Sequence, residues 1–430
     1  MPIYPYPPPH EQLNVFFGKF FRKMRKADPS TYGDFLMRAE EEFKRTGYRE
    51  ENSAGVENIL IVRLEAIGDM VLTSGFLREV RKNFPMARIT FVVMPQIYPM
   101  AELCPYVNEV LTFDKNLVYG NFVEGLEKVA VFCRDNLWQK KFSIAFSPRW
   151  FFDSFLALLI LWLSGARERI GYGSNSFGNW LDYSISQFSG LDNFLLTKNI
   201  LTPRNVVGEV EKFFYLLTAV GLKVTETQME LFYGAEDLRK AKELLENLPT
   251  SCKKVVLGIG ASAKSKKYPV EKYLIALKKL AKKNLVFVIV GGKNEIADAA
   301  FLEKNLPPEK VLNLVNKTSL RETEAVITQM DFYLGNDTGT LHIAAAAKIP
   351  VLAIYRSAVD RDNVLPVFSE FCLFPPWQTK AIVLRPAHPL GECAKLPPSY
   401  GICRHLNEPH CIAQIEPQEI VDAFEKLETF

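Results

Sequence analysis

GNDTGTLHIAAAA, from Gly335 to Ala347, is the stretch whose reading decides the fold. Asp331 to Leu334 before it reads as the end of a short buried strand. Thr340 to Lys348 reads as an alanine-rich helix and Val351 to Tyr355 as the next strand. Strand, Gly-containing turn and helix make half of a parallel α/β unit. Such a turn aims several backbone N–H groups and the positive end of a helix at one spot, which suits an anion such as a phosphate. Asp337, Thr338 and His342 add polar side chains there, and Gly339 leaves room for a ligand to approach closely.

Working back from this stretch, the same alternation recurs. Ala235 to Asn247 reads as a helix, Val255 to Gly260 as a strand, ASAKSKKYP as a polar loop and Val270 to Lys282 as a helix. Val286 to Val290 is a strand ending in Gly291 and Gly292. A helix from Asn294 to Asn305 and a strand from Val311 to Val315 follow. Ser319 caps the next helix, with Glu322 at capping-box spacing. Beyond the opening stretch, Ile382 to Leu384 reads as a last strand and Pro417 to Leu427 as a final helix. The earlier half repeats the plan. Strands are expected at Ile59–Arg63, Ala87–Met94, Glu109–Phe113, Phe142–Phe146 and Arg167–Tyr172, with helices at Met70–Asn83, Phe122–Asn136, Phe152–Leu163 and Glu209–Val220. Residues 173–205, rich in Gly, Asn and Ser, read as loop. The expected fold is therefore α/β, with two Rossmann-like doubly wound parallel-sheet domains facing a central cleft: residues 56–232 and 233–430.

Residues 1–55 read as an N-terminal helical extension. In NVFFGKFFRKMRK, Phe16, Phe17, Phe20, Phe21 and Met24 recur at helical spacing between basic residues. Two readings stand: a basic amphipathic helix over residues 15–27 on an anionic membrane surface, or a helix packing its Phe face onto the protein body. The start, MPIYPYPPPH, lacks the pattern of a signal peptide. The longest apolar run, Phe155 to Leu163, is short of the roughly 20 residues that span a bilayer. With seven cysteines, an odd number, the chain reads as cytoplasmic with reduced thiols, or as peripheral on the inner face of the cytoplasmic membrane through residues 15–27. A net charge of +3 gives no argument for nucleic acid, which is not expected as a partner.

Several residues could carry chemistry. Gly68 and Asp69 end the turn after the first strand; Asp69 is either a helix cap or a carboxylate able to take a proton from an attacking hydroxyl. Arg63 is either an ion-pair partner or an acceptor-binding group. Ser262, Lys264, Lys266 and Lys267 sit on a loop between a strand and a helix, where a lysine suits a diphosphate and a solvated cluster is the alternative. Glu295, after Gly291–Gly292, could bind ribose hydroxyls or serve as a helix N-terminal charge. Neither IVGGKNE nor VLGIGASA gives the G-x-G-x-x-G of a dinucleotide site, which argues against a nicotinamide dehydrogenase. Cys393, Cys403 and Cys411 lie near His405 and His410, but their spacing is irregular for a zinc module, so no metal site is expected and packed or partner-facing thiols are favoured.

Taken together, RLEAIGDMVLTSGFLREVRKNFP, RIGY at Arg169 to Tyr172, ASAKSKKYPVEKY, VGGKNE and GNDTGTLHIAAAAKIPVLAIY resemble the family 9 glycosyltransferases, the ADP-heptose:lipopolysaccharide heptosyltransferases of GT-B fold. The resemblance runs from about Glu57 to Phe430 and rests on the order and spacing of the blocks. It implies a catalytic base at Asp69; from their place on the same turn, Arg63 and Gly68 are expected to meet the acceptor, held by the first domain. It implies donor contacts at Ser262, Lys266, Glu295, Asp337, Thr338, Gly339, Thr340 and His342, to which the reading of the lysine loop adds Lys264. The implied partners are a nucleotide-sugar donor such as ADP-heptose and a lipid-linked saccharide acceptor, with no cofactor required. The sequence departs from the family where Gly208-Glu209-Val210 stands in place of His-Glu-Val, and in its first 55 residues. The expected activity is inverting transfer of a heptose or related sugar to lipopolysaccharide or another cell-envelope glycan. The alternatives are a sugar-nucleotide isomerase or hydrolase on the same fold, and a non-catalytic membrane-associated binding protein.

Overall fold

The computed structural model describes residues 57–429 apart from 121, 151–154, 174–194, 204, 362–368, 392–393 and 395–407, together with Glu41. The expected basic helix of residues 15–27, most of the 173–205 loop, and Cys393, Cys403 and His405 lie outside the described residues.

Two parallel sheets organise the chain. Strands β1 (Asn58–Arg63), β2 (Arg88–Val93), β3 (Glu109–Thr112), β4 (Ile144–Ser147), β5 (Glu168–Gly171) and β6 (Lys198–Asn199) lie in the order β3-β2-β1-β4-β5-β6. Strands β7 (Lys253–Gly258), β8 (Leu285–Val290), β9 (Val311–Asn313), β10 (Phe332–Asn336), β11 (Val351–Ile354) and β12 (Ala381–Leu384) repeat it, as β12-β11-β10-β7-β8-β9. All pairings are parallel. In each sheet the first strand stands between the second and the fourth, so the winding reverses there. Such a switch point leaves a crevice at the carboxyl ends of two neighbouring strands, where α/β proteins bind ligands.

The strands read as near-continuous apolar runs because both faces of a parallel sheet are covered. All six residues of β8, LVFVIV, are buried. The covering helices are α1 (Ile67–Asn83), α2 (Phe122–Asn136), α3 (Phe155–Leu163), α4 (Glu209–Ala219), α5 (Ala235–Leu245), α6 (Val270–Leu280), α7 (Ile296–Asn305), α8 (Leu320–Ile327), α9 (Gly339–Ala346) and α10 (Pro417–Glu428). Helix α3 is apolar on every side because every one of its residues is buried. Among the described residues, no helix is long and apolar enough to cross a membrane.

Several elements differ from the sequence reading. Helix α1 begins at Ile67, not Met70, so Gly68 and Asp69 lie in its first turn. β10 runs on through Gly335 and Asn336, because a Cβ at Gly335 would lie 2.5 Å from the Gly258 carbonyl oxygen and only glycine lets the two strands meet there. The short β6 stands inside the region read as loop.

The chain divides into two compact units, Met1–Ala66 with Phe76–Thr227, and Ile67–Gly75 with Gln228–Phe430. The division thus falls a few residues before the expected boundary at 232/233. It also assigns the first turns of α1, with Gly68 and Asp69, to the second unit.

Candidate active site

In the second unit, the switch point lies between β7 and β10, and the two loops singled out in the sequence leave the sheet from those strand ends. The turn after β10 is short. The Asp337 N–H donates to the Ile354 carbonyl at 3.2 Å, and Thr338 is the N-cap of α9 with extended backbone. The loop after β7 makes one turn of 3-10 helix, Lys264–Lys266, before α6.

One side chain ties these segments together. Asn336 is fully buried at the end of β10. Its Nδ2 donates to the carbonyls of Ile259 at 2.9 Å and Gly260 at 3.0 Å. Its Oδ1 accepts from the Tyr268 N–H at 3.3 Å and the Tyr273 hydroxyl at 2.9 Å. A single amide therefore clasps the lysine-bearing loop at both ends, with both its donor and its acceptor groups satisfied. Beside it, the Tyr333 hydroxyl lies 3.1 Å from the Asn336 carbonyl and 3.1 Å from Thr340 Oγ1, and the Thr338 and Thr340 hydroxyls stand 2.8 Å apart. Burial pushes the Tyr333 phenol up to about 12, so it remains a neutral donor.

On this frame three expected residues converge. Lys266 Nζ reaches Asp337 Oδ2 at 3.2 Å, and His342 Nε2 faces Asp337 Oδ1 from 3.9 Å, too far for a hydrogen bond. His342 is buried, and its Nδ1 has no hydrogen-bond partner among the described residues. Burial holds the imidazole below its ordinary range, against the pull of Asp337 and Asp69 and with the help of Lys266, so the ring is neutral at pH 7. Asp69, in the first turn of α1, is near enough to be felt by that ring. Gly68 packs against it, since a Cβ there would meet His342 Cδ2 at 2.7 Å. Gly339 faces Ile67, so contact within the unit already accounts for its lack of a side chain.

The other expected residues are placed as follows. Ser262 and Lys264 are exposed on the same loop. Lys267 turns away to Asp298 at 2.5 Å. Glu295 is buried against Gly260 and accepts the Gly292 N–H at 3.0 Å, the geometry of its helix-terminal reading. Arg63 belongs to the first unit. Its buried guanidinium pairs with Glu65 and Glu209, each at 3.0 Å, and lies 4.9 Å from the centre of the Phe213 ring. Of the two readings of Arg63, the structure shows the ion pair.

Sequence reasoning passed over Asn336, Tyr333 and the role of Glu209. Glu209 opens α4 where the family departure was noted, and its Oε1 accepts from Arg63 at 3.0 Å and Arg149 at 3.1 Å. The available signal was a polar residue in an apolar strand or at a helix start: Asn336 closes FYLGN. Near the C-terminus, Cys411 is buried, with Sγ accepting the Leu390 N–H at 3.3 Å. Among the described residues, no group of three or more His, Cys, Asp or Glu side chains could hold a metal ion.

Comparison with known proteins finds the same two-sheet fold in a known family. The sequence model of glycosyltransferase family 9 (heptosyltransferase) matches residues 158–385. This chain belongs to glycosyltransferase family 9. As a family 9 enzyme it is a glycosyltransferase of the heptosyltransferase type. Lipopolysaccharide heptosyltransferase 3 of Escherichia coli K12 is 21% identical over 372 residues, covering 84% of this chain and 95% of that one. A solved family 9 glycosyltransferase from Veillonella parvula superposes with a TM-score of 0.65 at 19% identity, covering 86% of this chain and 97% of that one. The E. coli heptosyltransferase WaaC, solved with ADP, superposes with a TM-score of 0.59 at 16% identity, covering 86% and 99%. The two six-stranded parallel sheets of this family 9 chain are thus the GT-B fold of those enzymes.

Proposed function

We propose that this family 9 enzyme transfers a heptose or related sugar, with inversion, from a nucleotide-diphosphate donor, ADP-heptose, to a saccharide of lipopolysaccharide or a related envelope glycan. The observation that carries the reading is the meeting of Lys266, Asp337 and His342 at the switch point between β7 and β10. The likeness to lipopolysaccharide heptosyltransferase 3 and to a heptosyltransferase solved with ADP supports the choice of acceptor and donor.

In this reading the donor diphosphate lies at the start of α9, where backbone N–H groups and the helix dipole favour negative charge. Lys266 exchanges part of its contact with Asp337 for the phosphates. The Thr338 and Thr340 hydroxyls and the unpartnered His342 nitrogen are further polar contacts for the donor; leaving such a buried nitrogen unpaired costs about 1–3 kcal/mol. Asp69 takes the proton of the acceptor hydroxyl as that oxygen bonds to the anomeric carbon. The bond from that carbon to the diphosphate breaks, and ADP leaves with the electron pair, its growing charge met by Lys266. A single displacement of this kind inverts the anomeric centre.

The test is Asp69→Asn. Transfer from ADP-heptose is expected to fall by about 100-fold or more, while affinity for ADP stays near that of the wild type. Retained transfer rules out the base assignment. Incubating the wild type with donor alone separates the isomerase or hydrolase alternative, which consumes donor without acceptor.

A further inference from the structure

We propose that Arg356 is a positioning residue of the donor site, fixing the Lys264–Lys266 turn through Ser265 so that Lys266 is held for the donor diphosphate. The inference deepens the proposed function and rests on that reading.

β11 is the neighbour of β10, with Asn336 opposite Ile354. The bond from the Asp337 N–H to the Ile354 carbonyl carries this pairing one residue further. The chain leaving β11 therefore runs beside the Asp337 turn, and Arg356 stands two residues past the strand end. Its Nη1 donates to Ser265 Oγ at 2.5 Å. Ser265 is 1% exposed and is the middle residue of the lysine turn.

The loop is thus secured at three places. Asn336 holds Gly260 and Tyr268 at its ends, and Arg356 holds Ser265 at its centre. The backbone of the turn makes local bonds, from Lys266 N to Ala263 O and from Lys267 N to Lys264 O. A lysine carries a compact charge on a flexible stem, so its phosphate contact depends on a fixed backbone beneath it. Arg356 supplies that fixation with a planar donor that remains charged at any pH the protein meets.

The experiment measures binding of ADP and of AMP to the full-length chain by calorimetry, in wild type, Arg356→Gln, Ser265→Ala and the double variant. Each single variant is expected to weaken ADP about tenfold, the size of one hydrogen bond to a charged group, and AMP by much less. The double variant is expected to be no weaker than the singles, because both remove one interaction. Equal losses for ADP and AMP would mean general loosening and would overturn the proposal. Wild-type ADP affinity in Ser265→Ala, or additive losses in the double variant, would also overturn it. Should Arg356→Gln not fold, Ser265→Ala, which removes a single oxygen, decides by the same ADP-to-AMP ratio. A wild type that binds no ADP at all would sink the functional reading, and this inference with it.

Discussion

Gly68 has no room for a methyl group: an added Cβ would stand 2.7 Å from His342 Cδ2 and 3.4 Å from the Gly339 backbone. Helix propensity alone favours alanine over glycine in a helix by about 1 kcal/mol, so Gly68→Ala is expected to leave folding largely intact. The imidazole has to move, and a displacement of about 1 Å at a reacting centre can cost about 100-fold in rate. Sugar transfer by Gly68→Ala should therefore drop by ten- to 100-fold by that measure, with the melting temperature within a few degrees of wild type. Unchanged transfer would show that the ring yields freely. Asp337, Lys266 and His342 could be singled out in the sequence because each is a polar residue in, or one turn beyond, a loop that follows a strand, the side of an α/β sheet where ligands bind. Asn336 was not, although it stands in the same stretch. Its four partners lie 63 to 77 residues away, and sequence alone does not show which distant carbonyls and hydroxyls a buried amide will meet.

At the scale of elements, helix α8 shows the same limit. Its start was legible: the Ser319 Oγ accepts the Glu322 N–H at 3.2 Å and the Glu322 carboxylate accepts the Ser319 N–H at 2.8 Å, as the capping-box spacing requires. Its buried face was not. Glu324 lies inside, where α8 packs on α5. Burial pushes its carboxyl up to about 8, aided by the nearby Asp237 and opposed by the Phe232 backbone N–H and Arg321. The folded chain then holds a proton that the unfolded chain releases near the ordinary value of 4.5. The stability this gives is complete below that value and is lost as pH rises towards about 8. Denaturant titrations at several pH values should show wild-type stability falling between pH 5 and pH 8 more steeply than that of Glu324→Gln, which carries no such proton. Parallel profiles would mean that water or a nearby cation keeps the carboxylate charged. The ends of α1 and β10 escaped sequence reading for a related reason: glycine reads as a turn by itself, yet at Gly68 and Gly335 it serves close packing within regular structure.

Across the whole molecule, alternating strands and helices were enough to foresee two doubly wound sheets, because helical crossovers join parallel strands and cover both faces of the sheet, leaving the strands uniformly apolar. The identical order of the two sheets makes the units alike in topology, so topology alone cannot say which binds the nucleotide. The side chains at the switch points differ. In the first unit the carboxyl ends of β1 and β4 are tied up internally, Arg63 and Arg149 both pairing with Glu209. Nearby, Lys212 is buried over the Trp150 ring at 4.1 Å and pushed down to about 8 by burial. In the second unit the loop after β7 carries Lys266, and the turn after β10 carries Thr338 and Thr340 at the start of α9. ADP at 100 times its dissociation constant should stabilise the binding unit by about 2.7 kcal/mol. Hydrogen exchange on the full chain should then slow in peptides covering 258–268, 335–346 and 67–75, the last because Gly68 packs on His342. Peptides covering β2 and β3 should exchange as before. Protection centred on those two strands would move the nucleotide to the first unit and reverse the assignment of donor and acceptor sides.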